Sequence, residues 1–159
     1  MAALVEQAQK ISLTSRAFRN DQLPLLNKAL SELTGYEMSL MMNSGAEAVE
    51  TALKLARKWA YQVKKIQPDK AEIITCAENF HGRTTTIVGF STDPDAYTGF
   101  APATPGFKVI PYNDTQALEK AITKNTVGFL VEPIQGEAGV KVPAKGYLTK
   151  VKQICKKHN

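Results

Sequence analysis

The sequence predicts an α/β fold, a mostly parallel sheet flanked by helices, on three observations. Short apolar runs of strand length alternate along the chain with segments whose apolar residues recur every three or four positions. Glycine, proline, asparagine and acidic residues gather just after the apolar runs, where connections into helices belong. No internal repeat or low-complexity tract breaks the alternation. Strand and helix in regular turn favour parallel strands covered by helices.

Each element has its own reason. The opening stretch AALVEQAQKI suits a short helix, and Pro24 to Leu33 repeats apolar residues at helical spacing before Gly35, a plausible C-terminal cap. Met38 to Met42 is an apolar run of strand length. The strongest helix follows: Val49, Leu53, Ala56, Trp59, Ala60 and Val63 form one stripe. Ser44 is its expected N-cap, with Glu47 completing a capping box and Lys64-Lys65 suiting the negative end of the dipole. Glu72 to Cys76 reads as a strand. Thr84 to Phe90 is helix or strand, since its β-branched residues serve both. Residues 91–106 hold Pro94, Gly99, Pro102, Pro105 and Gly106 and read as a long loop. Lys108 to Ile110 is a strand, 115–123 a helix, Val127 to Val131 a strand closed by Glu132-Pro133, and Gly146 to Lys157 a final helix.

Composition narrows the function classes. The 159 residues suit one compact domain, and 43% apolar with 22% charged residues is ordinary for a globular chain. Nothing approaches the roughly 18 consecutive apolar residues of a membrane span. The start has no basic region leading into an apolar run, so it reads as neither a secretory signal nor an Arg-rich transit peptide. Cys76 and Cys155 form no C-x-x-C pair, and Cys76 ends an apolar run, which suits a small buried hydrophobe and a reducing compartment. The net charge of +5 is spread over helix ends without Arg–aromatic interleaving, which argues against nucleic acid as a partner. The chain opens on a helix with no strand before it and closes where another strand belongs, so a fragment of a larger domain is expected.

Three segments can carry chemistry. Asn43-Ser44-Gly45-Ala46-Glu47 is a small-residue turn into a helix, which leaves backbone N–H groups at a positive dipole end. It could hold a phosphate, or Ser44 could merely cap and Gly45 merely turn. Asn79-Phe80-His81-Gly82-Arg83-Thr84 follows a strand, where ligands sit in doubly wound sheets. Phe80 could stack on a flat ring while Arg83 clamps a carboxylate, or Phe80 could be core and Arg83 solvated. His81 has no second His or Cys at ligand spacing, so no metal site is expected. Val131 to Gly139 carries Glu132 and Glu137 at a strand end, suited to acid–base work, to orienting a ring substituent, or to a plain acidic loop. No nucleophile triad, GxGxxG or P-loop pattern is present.

These segments resemble the class III, fold-type I aminotransferases, which depend on pyridoxal 5′-phosphate. N-S-G-A-E-A-V-E-T-A-L-K-L-A-R-K-W looks like their phosphate-cradling turn and helix, N-F-H-G-R-T like the ring-stacking segment, and F-L-V-E-P-I-Q-G-E-A-G-V like the strand leading towards the catalytic aspartate. The match covers nearly the whole chain. Segments 91–102, 110–114 and 137–148 are most similar to the ornithine aminotransferase branch, whose acetylornithine-using relatives usually read Gly where Ala138 stands. The resemblance implies part of the large cofactor-binding domain, with the small domain and the rest of the large domain outside residues 1–159. It implies cofactor contacts from Ser44, Gly45, Ala46, Phe80, His81 and Glu132, and substrate contacts from Arg83 and Glu137, the latter masking or releasing an arginine elsewhere. The Schiff-base lysine and the pyridinium-pairing aspartate would lie beyond Asn159, and Lys54 and Lys141 match no cofactor-lysine motif. Catalytic residues proper are therefore expected outside this stretch, which alone should be inactive. The intact enzyme would be a homodimer in the cytoplasm or mitochondrial matrix, moving an amino group from ornithine to 2-oxoglutarate. Another ω-aminotransferase, acting on acetylornithine or 4-aminobutyrate, and a non-catalytic phosphate-binding or interaction module are the alternatives.

Overall fold

The computed structural model describes residues 1–15 and 17–159, in two compact units, Met1–Met41 and Met42–Asn159. The first unit holds helices α1 (Ala2–Lys10) and α2 (Gln22–Thr34). Gly35 closes α2 as expected: at φ 75° it takes the left-handed conformation, and its N–H donates to the Ser31 carbonyl. Neither helix buries a residue.

The strand expected at Met38 to Met42 does not form. Met38 is 88% and Leu40 65% exposed, and no strand among the described residues pairs with the segment. An apolar run of the right length indicates extended backbone, but a strand also needs a neighbour to complete its hydrogen bonds.

In the second unit, α3 (Gly45–Gln62) is followed by β1 (Glu72–Cys76), α4 (Thr85–Val88), α5 (Pro94–Tyr97), β2 (Phe107–Ile110), α6 (Thr115–Ala121), β3 (Thr126–Leu130) and α7 (Tyr147–His158). The three strands are parallel in the order β2-β1-β3, with Ile74 opposite Lys108 on one side and Phe129 on the other. The undecided segment from Thr84 is helical because the Thr84 hydroxyl caps it, accepting from the Ile87 N–H at 3.3 Å. The long loop contains α5, started by Pro94 behind an Asp93 cap.

Central β1 is buried along almost its whole length, and successive side chains serve opposite faces. Ile74 joins Ile110, Leu118, Tyr147 and Val151 in a core beneath α6 and α7. Ile73 joins Leu53, Ile87 and Phe90 beneath α3 and α4. Burial of each such side chain contributes about 1.5–3 kcal/mol. Parallel strands also align their carboxyl ends. The connections 77–84 and 131–141 therefore emerge at the same sheet edge, next to the start of α3.

Candidate functional site

The site begins at the N-terminus of α3. Ser44 is extended and its hydroxyl accepts from the Glu47 N–H at 3.2 Å, while the Ser44 N–H donates to the Glu47 carboxylate at 2.9 Å, the expected capping box. The Ala48 N–H reaches the Ser44 carbonyl. That leaves the N–H groups of Gly45 and Ala46 without a protein partner among the described residues, at the positive end of an 18-residue helix. Gly45 is exposed, and a Cβ there would meet nothing within 4 Å. Donors, dipole and open approach together suit a phosphate.

The segment after β1 is pressed against this turn. Gly82 has φ 129°, and a Cβ there would stand 2.9 Å from the Ala46 Cβ, so only glycine lets the two backbones come this close. Thr84 adds a side-chain tie, its hydroxyl donating to the Glu50 carboxylate of α3. Buried Asn79 fixes the start of the segment, donating to the carbonyls of Cys76 at 2.7 Å and Phe90 at 3.2 Å.

The third segment meets the second directly. The Phe80 N–H donates to the Glu132 carboxylate at 3.2 Å. The Tyr112 hydroxyl, past the end of β2, donates to the carbonyls of Glu132 and Pro133 at 3.1 and 3.2 Å. Burial, and then the nearby Cys76 and Glu132, push the Tyr112 phenol above its ordinary value, so it stays a donor. Gln135 is fully buried and donates to the Ala77 carbonyl at 2.8 Å. Around it, Gln135 and Lys141 exchange backbone hydrogen bonds, which presents Glu137 at the tip of the loop. Lys141 and Glu78 pair at 2.5 Å across the same two segments.

All the expected site residues thus lie on three touching segments, Ala46 against Gly82 and Phe80 against Glu132. They do not all line one cavity. A cleft of about 790 Å³ is bordered by Phe80, His81, Arg83 and Glu137, whereas Ser44, Gly45, Ala46 and Glu132 lie outside its lining. Phe80 is 39% exposed, and the Arg83 guanidinium carbon sits 5.1 Å from its ring centroid. His81 Nε2 is buried with no partner among the described residues, and burial holds the imidazole below its ordinary value, hence neutral near pH 7. Cys76 is no nucleophile: burial, and then the Glu132 charge, push its thiol up to about 11 despite the Tyr147 hydroxyl beside it.

Sequence reasoning missed Glu50, Thr84, Tyr112 and Gln135 as site-building residues. Gln135 stands in a quoted motif between two carboxylates, which could have drawn notice. The others act through partners distant in sequence.

A parallel sheet whose carboxyl edge gathers a helix N-terminus, an aromatic, a buried imidazole and two carboxylates places the ligand-binding face of an α/β fold at that edge. The family model for aminotransferase class III matches residues 1–159, and the chain belongs to that family. It is 60% identical over 155 residues to the ornithine aminotransferase of Bordetella pertussis, covering 98% of this chain and 38% of that protein. The ornithine aminotransferase of Brevibacillus brevis is 57% identical over 157 residues, covering 99% and 39%. Among solved structures, ornithine aminotransferase from Toxoplasma gondii matches at 50% identity and TM-score 0.92, over 99% of this chain and 38% of that one. Acetylornithine aminotransferase from Elizabethkingia anophelis matches at 57% identity and TM-score 0.77, over 99% and 38%. The chain therefore spans about two-fifths of the length of the relatives it matches.

Proposed function

We propose that this sequence supplies the phosphate cradle and one substrate-facing wall of an ornithine aminotransferase. The reaction would move the δ-amino group of ornithine to 2-oxoglutarate with pyridoxal 5′-phosphate as cofactor, in a homodimer. The observation that carries the reading is the contact of three segments at one sheet edge, Ala46 against Gly82 and Phe80 against Glu132. Their sequences resemble the family's cofactor motifs. The T. gondii relative, 50% identical, holds pyridoxal phosphate at partial occupancy in its active site.

The residues fit the group. The free N–H donors of Gly45 and Ala46 would take the phosphate, with Ser44 holding the turn open and the α3 dipole favouring the dianion. Phe80 would give its ring to the pyridine, and neutral His81, short of one partner, would lie beside it. Glu132, oriented by the Phe80 N–H and by Tyr112 beneath its backbone, would face the ring substituents. Arg83 would bind a substrate carboxylate through its planar fork, and Glu137 at the loop tip would help separate the two substrates. Bound pyridoxal phosphate supplies the electron sink, while the protein supplies orientation and charge.

Acetylornithine as donor is the second reading, favoured by the 57% identity to the E. anophelis enzyme. Fewer than a tenth of residues separate the two relatives in identity, so the assay decides. The full-length enzyme, loaded with cofactor and 2-oxoglutarate, should form glutamate with ornithine at a kcat/KM at least about tenfold above that with acetylornithine, about 1.4 kcal/mol in transition-state binding. The reverse order would replace the first reading by the second. No glutamate from ornithine, acetylornithine or 4-aminobutyrate would remove both.

A further inference from the structure

We infer that Glu50 is a positioning residue that fixes the spacing between the phosphate cradle and the ring-stacking segment, and so makes the two halves of the cofactor bind as one. The inference rests on the cofactor reading above. Glu50 lies one turn and a half into α3, partly buried, and its carboxylate accepts the Thr84 hydroxyl. Thr84 is committed at both ends: the same oxygen accepts from the Ile87 N–H and starts α4. Two residues before Thr84, Gly82 stands against Ala46 with no room for a side chain.

The geometry therefore has two pins, one backbone contact at Ala46–Gly82 and one charge-assisted hydrogen bond at Glu50–Thr84. Together they join the helix that carries the N–H groups of Gly45 and Ala46 to the segment that carries Phe80 and Arg83. α3 and the 79–84 segment belong to different parts of the chain, and the apolar cluster of Leu53, Ile73, Ile87 and Phe90 packs α3 against α4, just beyond that segment. Steric contact stops the segments approaching, but it does not stop them separating or sliding. A directional bond to a carboxylate does. A ligand that grips both segments gains from that fixed distance, because the orientation cost is met before it binds. A ligand that grips one segment gains nothing.

That difference is the test, made on the full-length enzyme with three probes: pyridoxal 5′-phosphate, pyridoxal, and inorganic phosphate. Glu50→Ala should weaken pyridoxal 5′-phosphate about tenfold or more, the usual scale for a lost hydrogen bond to a charged group. Pyridoxal and phosphate, each held on one side of the Glu50–Thr84 tie, should change by less than about twofold. Glu50→Gln keeps an oxygen for the Thr84 hydroxyl and Thr84→Ser keeps the hydroxyl itself, so both should retain most of the affinity. Circular dichroism of each variant reports on folding. Unchanged pyridoxal 5′-phosphate affinity in Glu50→Ala overturns the inference, and so does a parallel loss of all three probes. Wild-type enzyme that takes up no pyridoxal 5′-phosphate overturns the cofactor reading and the inference together, whereas binding that is indifferent to Glu50 overturns the inference alone.

Discussion

Two helices cover opposite faces of the same sheet, and their first turns are finished differently. α6 starts under Asp114, whose carboxylate accepts from both Gln116 and Ala117 N–H groups, at 2.9 and 2.8 Å. α3 starts under Ser44, whose single hydroxyl serves Glu47 and leaves the N–H groups of Gly45 and Ala46 without a partner among the described residues. A carboxylate at the α6 position also answers the helix dipole, so no anion is needed there. At α3 the cap is neutral, and its partner Glu47 is turned back to the Ser44 N–H. The contrast separates scaffold from site: one helix start is closed by its own side chain, and the other is held in shape but left open to an anion.

Side-chain pairing in the two layers differs in the same sense. α6 and α7 are joined by Glu119, which receives Lys157 at 2.6 Å and His158 at 3.1 Å. Near the start of α3, polar groups face the cleft, where His81 Nε2 is buried with no partner among the described residues and Arg83 rests on Phe80.

Gly82→Ala should break the open layer most severely. Its φ of 129° strains any side chain, and the added Cβ would enter to 2.9 Å of Ala46. Strain and overpacking together predict a loss of about 3 kcal/mol and failure to take up pyridoxal phosphate. Urea unfolding of the full-length enzyme measures the first and cofactor absorbance the second. A variant as stable as its parent would show that Ala46 and Gly82 are not in contact.

The cap comparison comes next in size. Asp114→Ala should cost about 1 kcal/mol of stability and leave phosphate affinity untouched, since its donors face no ligand. Ser44→Ala should cost a similar amount, about 1 kcal/mol, and also weaken pyridoxal phosphate, because the turn that aims Gly45 and Ala46 loses its brace. Equal effects of the two variants on cofactor affinity would erase the distinction between closed and open helix starts.

Much of this was readable in the sequence, and what was not has physical reasons. The capping box at Ser44 and Glu47 is local, three residues apart, so it could be read directly. The strands at Glu72, Lys108 and Val127 announced themselves by apolar runs between turn residues, and their bounds moved by a residue or so. Met38 to Met42 misled because run length reports extension, while a strand also requires a partner. The Thr84 segment stayed ambiguous because what decides it is a hydroxyl cap and not β-branching. Glu50–Thr84 and Tyr112–Glu132 were invisible because contacts 34 and 20 residues apart leave no local periodicity.

His81 gives the smallest effect and the most specific check on the open layer. Burial lowers its folded-state value below the ordinary 6.5. The unfolded chain therefore takes up a proton first as pH falls, and the His81 contribution to stability is complete above pH 6.5 and drains away as pH drops below it. Wild-type enzyme without cofactor should lose stability on going down from pH 6.5, and His81→Gln should flatten that limb, by less than the cap deletions change stability. Adding pyridoxal phosphate should reshape the His81 limb, because that imidazole lines the cleft. Two-dimensional NMR of the imidazole resonances would follow the His81 ring directly. A His81 that titrates at or above 6.5 would mean that water reaches it freely, and that this wall of the cleft is looser than the packing of Phe90 against it implies.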